Sequence, residues 1–218
     1  MNPTRALTAA ILSVCCAAAF AQTVHSREHR FSGAEDWAKV FDDPARDAWQ
    51  KPHEVITALA PAPDSAVADI GSGTGYFAAR LAHFVPKGRV YGVDTEPEMV
   101  KYLAERAKRE GLPNLVSVAG RPDDASLPAK VDLVLMVDVY HHISQREGYF
   151  RKLRGSLKPG ARVAIIDFRM DAPSGPPKKD RIAPSQVRSE LAKAGYAFAK
   201  EHTFLPSQFF LVFEAAKP

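Results

Sequence analysis

Residues Asp69-Ile70-Gly71-Ser72-Gly73-Thr74-Gly75-Tyr76 set a carboxylate ahead of three glycines at alternate positions. Glycine at such sites lets the chain turn tightly and brings backbone N–H groups close to a ligand at the start of a helix. A structural turn or a dinucleotide site would use similar residues, but here the spacing is G-x-G-x-G rather than G-x-G-x-x-G. Asp94 follows Gly75 by 19 residues, at the end of the next apolar run. A carboxylate there can accept both hydroxyls of a ribose; its plainer role is to open a helix beside Thr95. A third group is Val137-Asp138-Val139-Tyr140-His141-His142. If the chain stays extended, Tyr140 and His142 share a side and His141 faces the other way. Imidazole is suited to taking a proton near neutral pH, so His142 is a candidate general base. The alternative is that the pair caps the next helix and packs beneath the site. Adjacent histidines on a strand diverge, so the pair alone is no metal site.

The elements that would position these groups alternate. Ala66–Ile70 is a short apolar run, as expected of a strand covered on both faces. Helix is expected over Gly75–Phe84, strand over Arg89–Val93, and helix from a Thr95/Glu98 capping box to Glu110, where Gly111 stops it. Strands are expected at Leu115–Val118 and Val131–Val137, then a helix from a Ser144/Glu147 capping box through Leu157, then a strand at Ala161–Ile166. This alternation requires a parallel sheet with helices on both sides. A last helix near Ser185–Ala194 precedes two strands joined through Leu205-Pro206-Ser207, a connection short enough only for an antiparallel pair.

The chain of 218 residues is long enough for one domain with one core, and its composition is globular. A net charge of +4 with no basic stripe implies no nucleic-acid partner. Residues 1–21 read as a signal peptide: Arg5 in a short n-region, an apolar stretch Ala6–Ala18, and Ala19-Phe20-Ala21 before a cut after Ala21. The run is too short and Ala-rich to span a bilayer well, so a periplasmic or secreted chain without stable membrane insertion is expected. Both cysteines, Cys15 and Cys16, fall inside it, which leaves the mature chain no disulfide or thiolate chemistry. Residues 22–64 read as a polar tail followed by short amphipathic helices, interrupted at Asp42-Asp43-Pro44. His25 and His29 there are spaced to share a helix face, although a solvated tail is the simpler reading and no metal is expected. The loop Arg169–Arg181 leaves the fifth strand at the carboxyl edge and is rich in Pro and Gly, as functional loops are; its charges Lys178, Lys179 and Arg181 would suit an anionic substrate, although a solvated charge run is the simpler reading.

The stretch Ala66–Ala164 resembles the class I S-adenosylmethionine-dependent methyltransferases, in particular their small-molecule, ubiquinone-biosynthesis-like branch. The resemblance rests on the turn at 69–75, Asp94, the Val131–Leu135 strand with His141-His142, and Leu157-Lys158-Pro159-Gly160. It implies a Rossmann-like, seven-stranded, mostly parallel sheet with a C-terminal antiparallel hairpin and helices on both faces, occupying residues 65–218. It also implies S-adenosylmethionine as cofactor: Asp69, Gly71, Ser72, Gly73, Thr74 and Gly75 at the methionine end, Asp94 at the ribose, and Asp138 beside them. An Asp after the third strand would hold the adenine amino group; Asp123 and Asp124 both qualify, and Asp123 has the family's spacing to Leu127-Pro128. By the same resemblance His142, four residues after Asp138, would serve catalysis, with Tyr140 on its side of the extended chain, and the helices carrying Arg46, Trp49 and Gln50 stand where the family builds its lid. The expected function is methyl transfer to a small-molecule acceptor outside the cytoplasm. The competing readings are an NAD(P)-dependent oxidoreductase, which shares the glycine turn and the acidic residue, and a non-catalytic binding protein on the same fold.

Overall fold

The structure, a computed structural model, describes residues 33–216. The signal-peptide reading and the His25/His29 pair lie outside the described residues.

Three short helices come first: α1 (Ala34–Phe41), α2 (Asp47–Gln50) and α3 (Pro52–Leu59), with Asp42-Asp43-Pro44 interrupting the first two. The alternating core follows as β1 (Ala66–Ile70), α4 (Tyr76–Phe84), β2 (Arg89–Asp94), α5 (Pro97–Arg109), β3 (Leu115–Ala119), β4 (Val131–Val137), α6 (Arg146–Leu153) and β5 (Leu157–Phe168). It closes with α7 (Pro184–Lys193), β6 (Tyr196–His202) and β7 (Gln208–Ala215). The seven strands lie in the order β3-β2-β1-β4-β5-β7-β6. The first five are parallel, and β7 runs antiparallel to both β5 and β6. This is the seven-stranded, mostly parallel sheet with a C-terminal antiparallel hairpin that the sequence resemblance implies.

Strand periodicity sorts the core into two layers. Leu133, Leu135 and Val137 of β4 pack with Ala164 and Ile166 of β5 against α3, α4 and α5. Val134 and Met136 pack with Val163 and Ile165 on the other face, against α6 and α7. Both faces are therefore covered, and every parallel strand delivers its carboxyl end to the same edge of the sheet.

Three local expectations are corrected. Neither capping box forms. α5 begins at Pro97, whose fixed φ suits the first helical position, and the N–H of Glu96 goes to Asp94 Oδ1 at 3.0 Å. Glu98 instead accepts the Gly33 N–H, and α6 begins after Gln145 without a side-chain cap. The helix expected to reach Leu157 ends at Leu153, and β5 starts at Leu157. Leu157 pairs with Val131, yet Arg162 already pairs with Leu133, so residues between them bulge from the ladder. Pro159, which has no N–H to donate, and Gly160, at φ +76°, sit in that bulge. Finally, the chain does not stay extended after β4: Asp138 takes φ +57°, and Tyr140–His142 form a 3₁₀ turn.

Candidate active site

At the carboxyl end of β1 the glycine turn is held by its own backbone. The N–H groups of Gly71 and Ser72 donate to Val93 O at 2.8 and 3.0 Å, and Gly75 N donates to Ser72 O at 2.8 Å. Gly71, Gly73 and Gly75 have φ of +72°, +52° and +97°. A Cβ on Gly71 would lie 2.1 Å from a methyl of Val139, and one on Gly75 2.4 Å from a methyl of Leu103. The turn thus needs glycine both for its dihedrals and for the closeness of β4's end and of α5. Two hydroxyls here, Ser72 Oγ and Thr74 Oγ1, are buried without a hydrogen-bond partner. Leaving such a group unpaired costs about 1–3 kcal/mol, so each has hydrogen-bonding capacity unused among the described residues.

Two carboxylates flank the turn. Asp94 Oδ2 accepts the Gly73 N–H at 2.8 Å while Oδ1 accepts from Glu96, which leaves each oxygen a further lone pair. Burial raises its pKa against the pull of those backbone donors. Asp69 is almost fully buried; burial pushes its pKa up to about 7, with Arg46 pulling down and Asp94 adding to the rise. The two buried hydroxyls and the two carboxylates suit the ammonium and the ribose of an adenosyl-amino acid. The residues present therefore fit S-adenosylmethionine.

A second set of side chains gathers at the ends of β4, β5 and β7. Arg46 from the turn before α2 donates to Gln50 Oε1 through Nε and Nη2 at 3.4 and 3.2 Å. Gln50 Nε2 donates to Gln208 Oε1, and Gln208 Nε2 to Asp138 Oδ1, each at 2.6 Å. Arg46 also donates to Phe41 O, and its guanidinium lies 4.1 Å from the centroid of the Tyr76 ring. Asp138 has its pKa raised by burial and by the nearby Asp167, against the pull of Arg46 and Gln208. Asp167 is buried and accepts from His141 Nδ1 at 2.8 and 3.0 Å and from Phe168 N at 2.8 Å. Above this edge, Phe41 packs near Gly73, and Trp49 meets Phe168 with ring centroids 5.9 Å apart.

The sequence candidates separate accordingly. Asp69, Gly71, Ser72, Gly73, Thr74, Gly75 and Asp94 meet at one turn, with Asp138 at the adjacent strand end. Tyr140 is not brought to them: it is fully buried in the layer of α6 and α7 and donates to Glu190, which also takes Arg146 at 2.6 and 3.0 Å. The 3₁₀ turn is the physical reason, since it breaks the alternation that would put Tyr140 beside His142. His142 is exposed, its ring 4.1 Å from that of His141, and it is His141 that carries the buried carboxylate partner. Asp123 is exposed and pairs with Lys152, whereas Asp124, half-buried, accepts the Ser126 N–H. Arg181, in a stretch that reads as solvated charge, is instead buried and donates to the carbonyls of Arg169, Ala172, Ser174 and Pro176. Gln208 and Asp167 were not legible as site residues. For Asp167 a signal exists: like Asp94, it is a carboxylate ending an apolar run at the same sheet edge.

Residues 67–160 match a family model described as a methyltransferase domain. Trans-aconitate 2-methyltransferase of Rhodopseudomonas palustris is 30% identical over 166 residues, 74% of this chain and 60% of that protein. Protein-L-isoaspartate O-methyltransferase of Aeropyrum pernix is 37% identical over 115 residues, 51% of this chain and 42% of that protein. The chain thus spans about half the length of these two curated relatives. A crystal structure of an S-adenosylmethionine-dependent methyltransferase from Aquifex aeolicus superposes with a TM-score of 0.77 at 26% identity, covering 83% of this chain and 98% of that one.

Proposed function

We infer that this chain, whose residues 67–160 match a methyltransferase-domain model, moves a methyl group from S-adenosylmethionine to a small-molecule acceptor. The observation that carries the reading is the glycine turn with its two unpartnered hydroxyls, Ser72 and Thr74, set between Asp69 and Asp94. S-adenosylmethionine supplies a methyl carbon made electrophilic by the sulfonium it is bound to. Asp94 would accept from the ribose hydroxyls, and the turn with Asp69 would hold the amino-acid end. The transfer is an in-line displacement, so the chief task of the protein is alignment.

A small acceptor fits the cover over the sheet edge. The segment Phe41–Gln50 lies across the glycine turn and locks into β7 through Gln50–Gln208, and the loop Arg169–Arg181 is pinned by Arg181. The two curated relatives are named for different acceptors, a small acid and a protein residue, so their names do not fix this one. Incubating the protein with methyl-labelled S-adenosylmethionine and a low-molecular-weight extract of the native host should put label into a small product. Cofactor binding without labelled product would favour a binding module on the same fold, and binding of a nicotinamide nucleotide instead would favour the oxidoreductase.

We further propose that cleavage after Ala21 delivers the mature chain, starting at Gln22, to the periplasm. The n-region, apolar stretch and Ala19-Phe20-Ala21 support this. N-terminal sequencing of the protein from its host tests it; a cytoplasmic product beginning at Met1 would contradict it.

A further inference from the structure

We propose that His141, oriented by Asp167, takes the proton from the acceptor, and that the acceptor atom is therefore a hydroxyl oxygen rather than a carboxylate. The proposal rests on the methyltransferase reading above and adds to it the proton acceptor and the chemical class of substrate.

The geometry begins with Asp167. It ends the apolar run of β5, is 1% exposed, and receives the His141 ring through both carboxylate oxygens. A carboxylate can only accept, so the hydrogen of the neutral ring is on Nδ1 and the lone pair is on Nε2, in a side chain that is 7% exposed. The backbone N–H of His141 also points at Asp167 Oδ2, at 3.3 Å, which fixes the residue as well as its ring. His141 stands two residues after Val139, whose methyls fill the space over Gly71, and β4 lies directly between β1 and β5. The dyad therefore stands at the carboxyl ends of β4 and β5, the strands next in order to β1 and its glycine turn.

The surrounding charges favour the same chemistry. Asp167 from β5, Asp138 at the end of β4 and Asp180 from the 3₁₀ turn Lys178–Asp180 all act on His141, and the His142 ring lies beside it. Burial opposes charge on the ring, but the Asp167 hydrogen bond and these three carboxylates outweigh it and raise the pKa. The imidazole is thus a stronger base than a free one, suited to a weakly acidic hydroxyl such as a phenol, with pKa about 10. A carboxylic acid, with pKa about 4, is already ionised at neutral pH and needs no base. It would also enter an edge lined by Asp69, Asp138 and Asp167, where the nearby cation Arg46 is already engaged by Gln50 and Phe41 O.

In the step, Nε2 takes the hydroxyl proton and the freed oxygen pair forms the O–CH₃ bond. The pair of the breaking S–CH₃ bond stays on sulfur, which leaves as a neutral thioether. The imidazolium, paired with Asp167, then returns its proton to water.

The test has two readouts. Nitrogen NMR across a pH titration of the wild-type protein with S-adenosylhomocysteine added should show a His141 pKa above that of a free imidazole and, above that pKa, a neutral ring in the Nδ1–H tautomer. Asp167→Asn should lower that pKa by about one unit or more, the size expected on losing a charged hydrogen-bond partner. A His141 with its hydrogen on Nε2, or a pKa unmoved by Asp167→Asn, would overturn the dyad without any variant of His141 having to fold. In the labelled-extract assay, wild-type product should keep its label in hot alkali, as a methyl ether does, and His141→Asn should lower kcat by about 10²–10⁴-fold with S-adenosylhomocysteine affinity retained. Alkali-labile label, the mark of a methyl ester, would overturn the hydroxyl acceptor while sparing the methyltransferase reading. Transfer kept by His141→Asn and lost in His142→Ala would return the base to the exposed ring. No labelled product from wild type would sink the methyltransferase reading and this proposal with it.

Discussion

The two ends of the sheet edge are built from different materials. Around β1 and β2 the site is made of backbone: three left-handed glycines, N–H groups given to Val93 O and Asp94, and one close approach from Val139. Around β4, β5 and β7 it is made of side chains: Arg46, Gln50, Gln208, Asp138, Asp167 and His141, joined by hydrogen bonds across up to 158 residues of sequence. A backbone site depends on dihedral angles and clearance, and only glycine meets both. A side-chain site depends on mutual satisfaction of buried polar groups, and many residue sets can provide it. The first kind is suited to a constant ligand and the second to one that varies among relatives.

The sharpest way to break this contrast is at Gly71. Gly71→Ala places a methyl 2.1 Å from Val139 in a left-handed conformation. Overpacking of about 1–3 kcal/mol and a positive-φ penalty of about 1–2 kcal/mol give an expected loss of about 2–5 kcal/mol in denaturant unfolding. Adding Val139→Ala should recover the packing part. Failure of the second change to help would mean that clearance is not what the turn requires.

Next in size is a pH effect. Asp69 has a folded-state pKa of about 7 against an ordinary 3.8, chiefly through burial. Between those values the folded state binds more protons than the unfolded one, so stability is fully present below about pH 4 and falls as pH rises through about 7. Asp138 acts in the same direction. Cofactor-free protein should therefore lose stability across that window, on the order of a few kcal/mol, and Asp69→Asn should flatten the curve. A stability that rises with pH there would show both carboxylates ionised in the fold.

On the side-chain half, Gln208→Leu leaves Gln50 Nε2 and Asp138 Oδ1 without their partner. The expected cost is about 1–3 kcal/mol, and proteolysis near Phe41–Lys51 should quicken as the N-terminal segment loses its tie to β7. Unchanged stability and protection would mean that apolar contacts alone hold the segment. The smallest effect belongs to Tyr140→Phe, which removes only the hydroxyl given to Glu190. Arg146 still satisfies that carboxylate, so a loss of about 0.5–1.5 kcal/mol is expected by thermal or denaturant unfolding.

The same contrast explains what could be read from sequence. Glycine spacing exposed the backbone half directly, because few other residues tolerate those dihedrals. The parallel sheet followed from alternation, and β1 and β4 fall where the apolar runs lie. The side-chain half was only partly legible. Gln50 and Gln208 stand far apart in sequence, and neither residue type marks itself as buried. His141 and His142 differ in role only because Asp138 turns the chain at positive φ, which no local pattern announces. The Thr95/Glu98 capping box failed for a similar reason: the helix starts at Pro97, and the Asp94 carboxylate takes the Glu96 N–H.

The most direct test of the central claim is calorimetry of S-adenosylhomocysteine with wild type and Asp94→Ala. The glycine turn should give one-to-one binding in wild type. Loss of the Asp94 carboxylate should weaken it by about 1.5–3 kcal/mol, the scale of a hydrogen bond to a charged group, or roughly ten- to a hundredfold. Equal affinity in the two proteins, or no binding by wild type, would contradict the account.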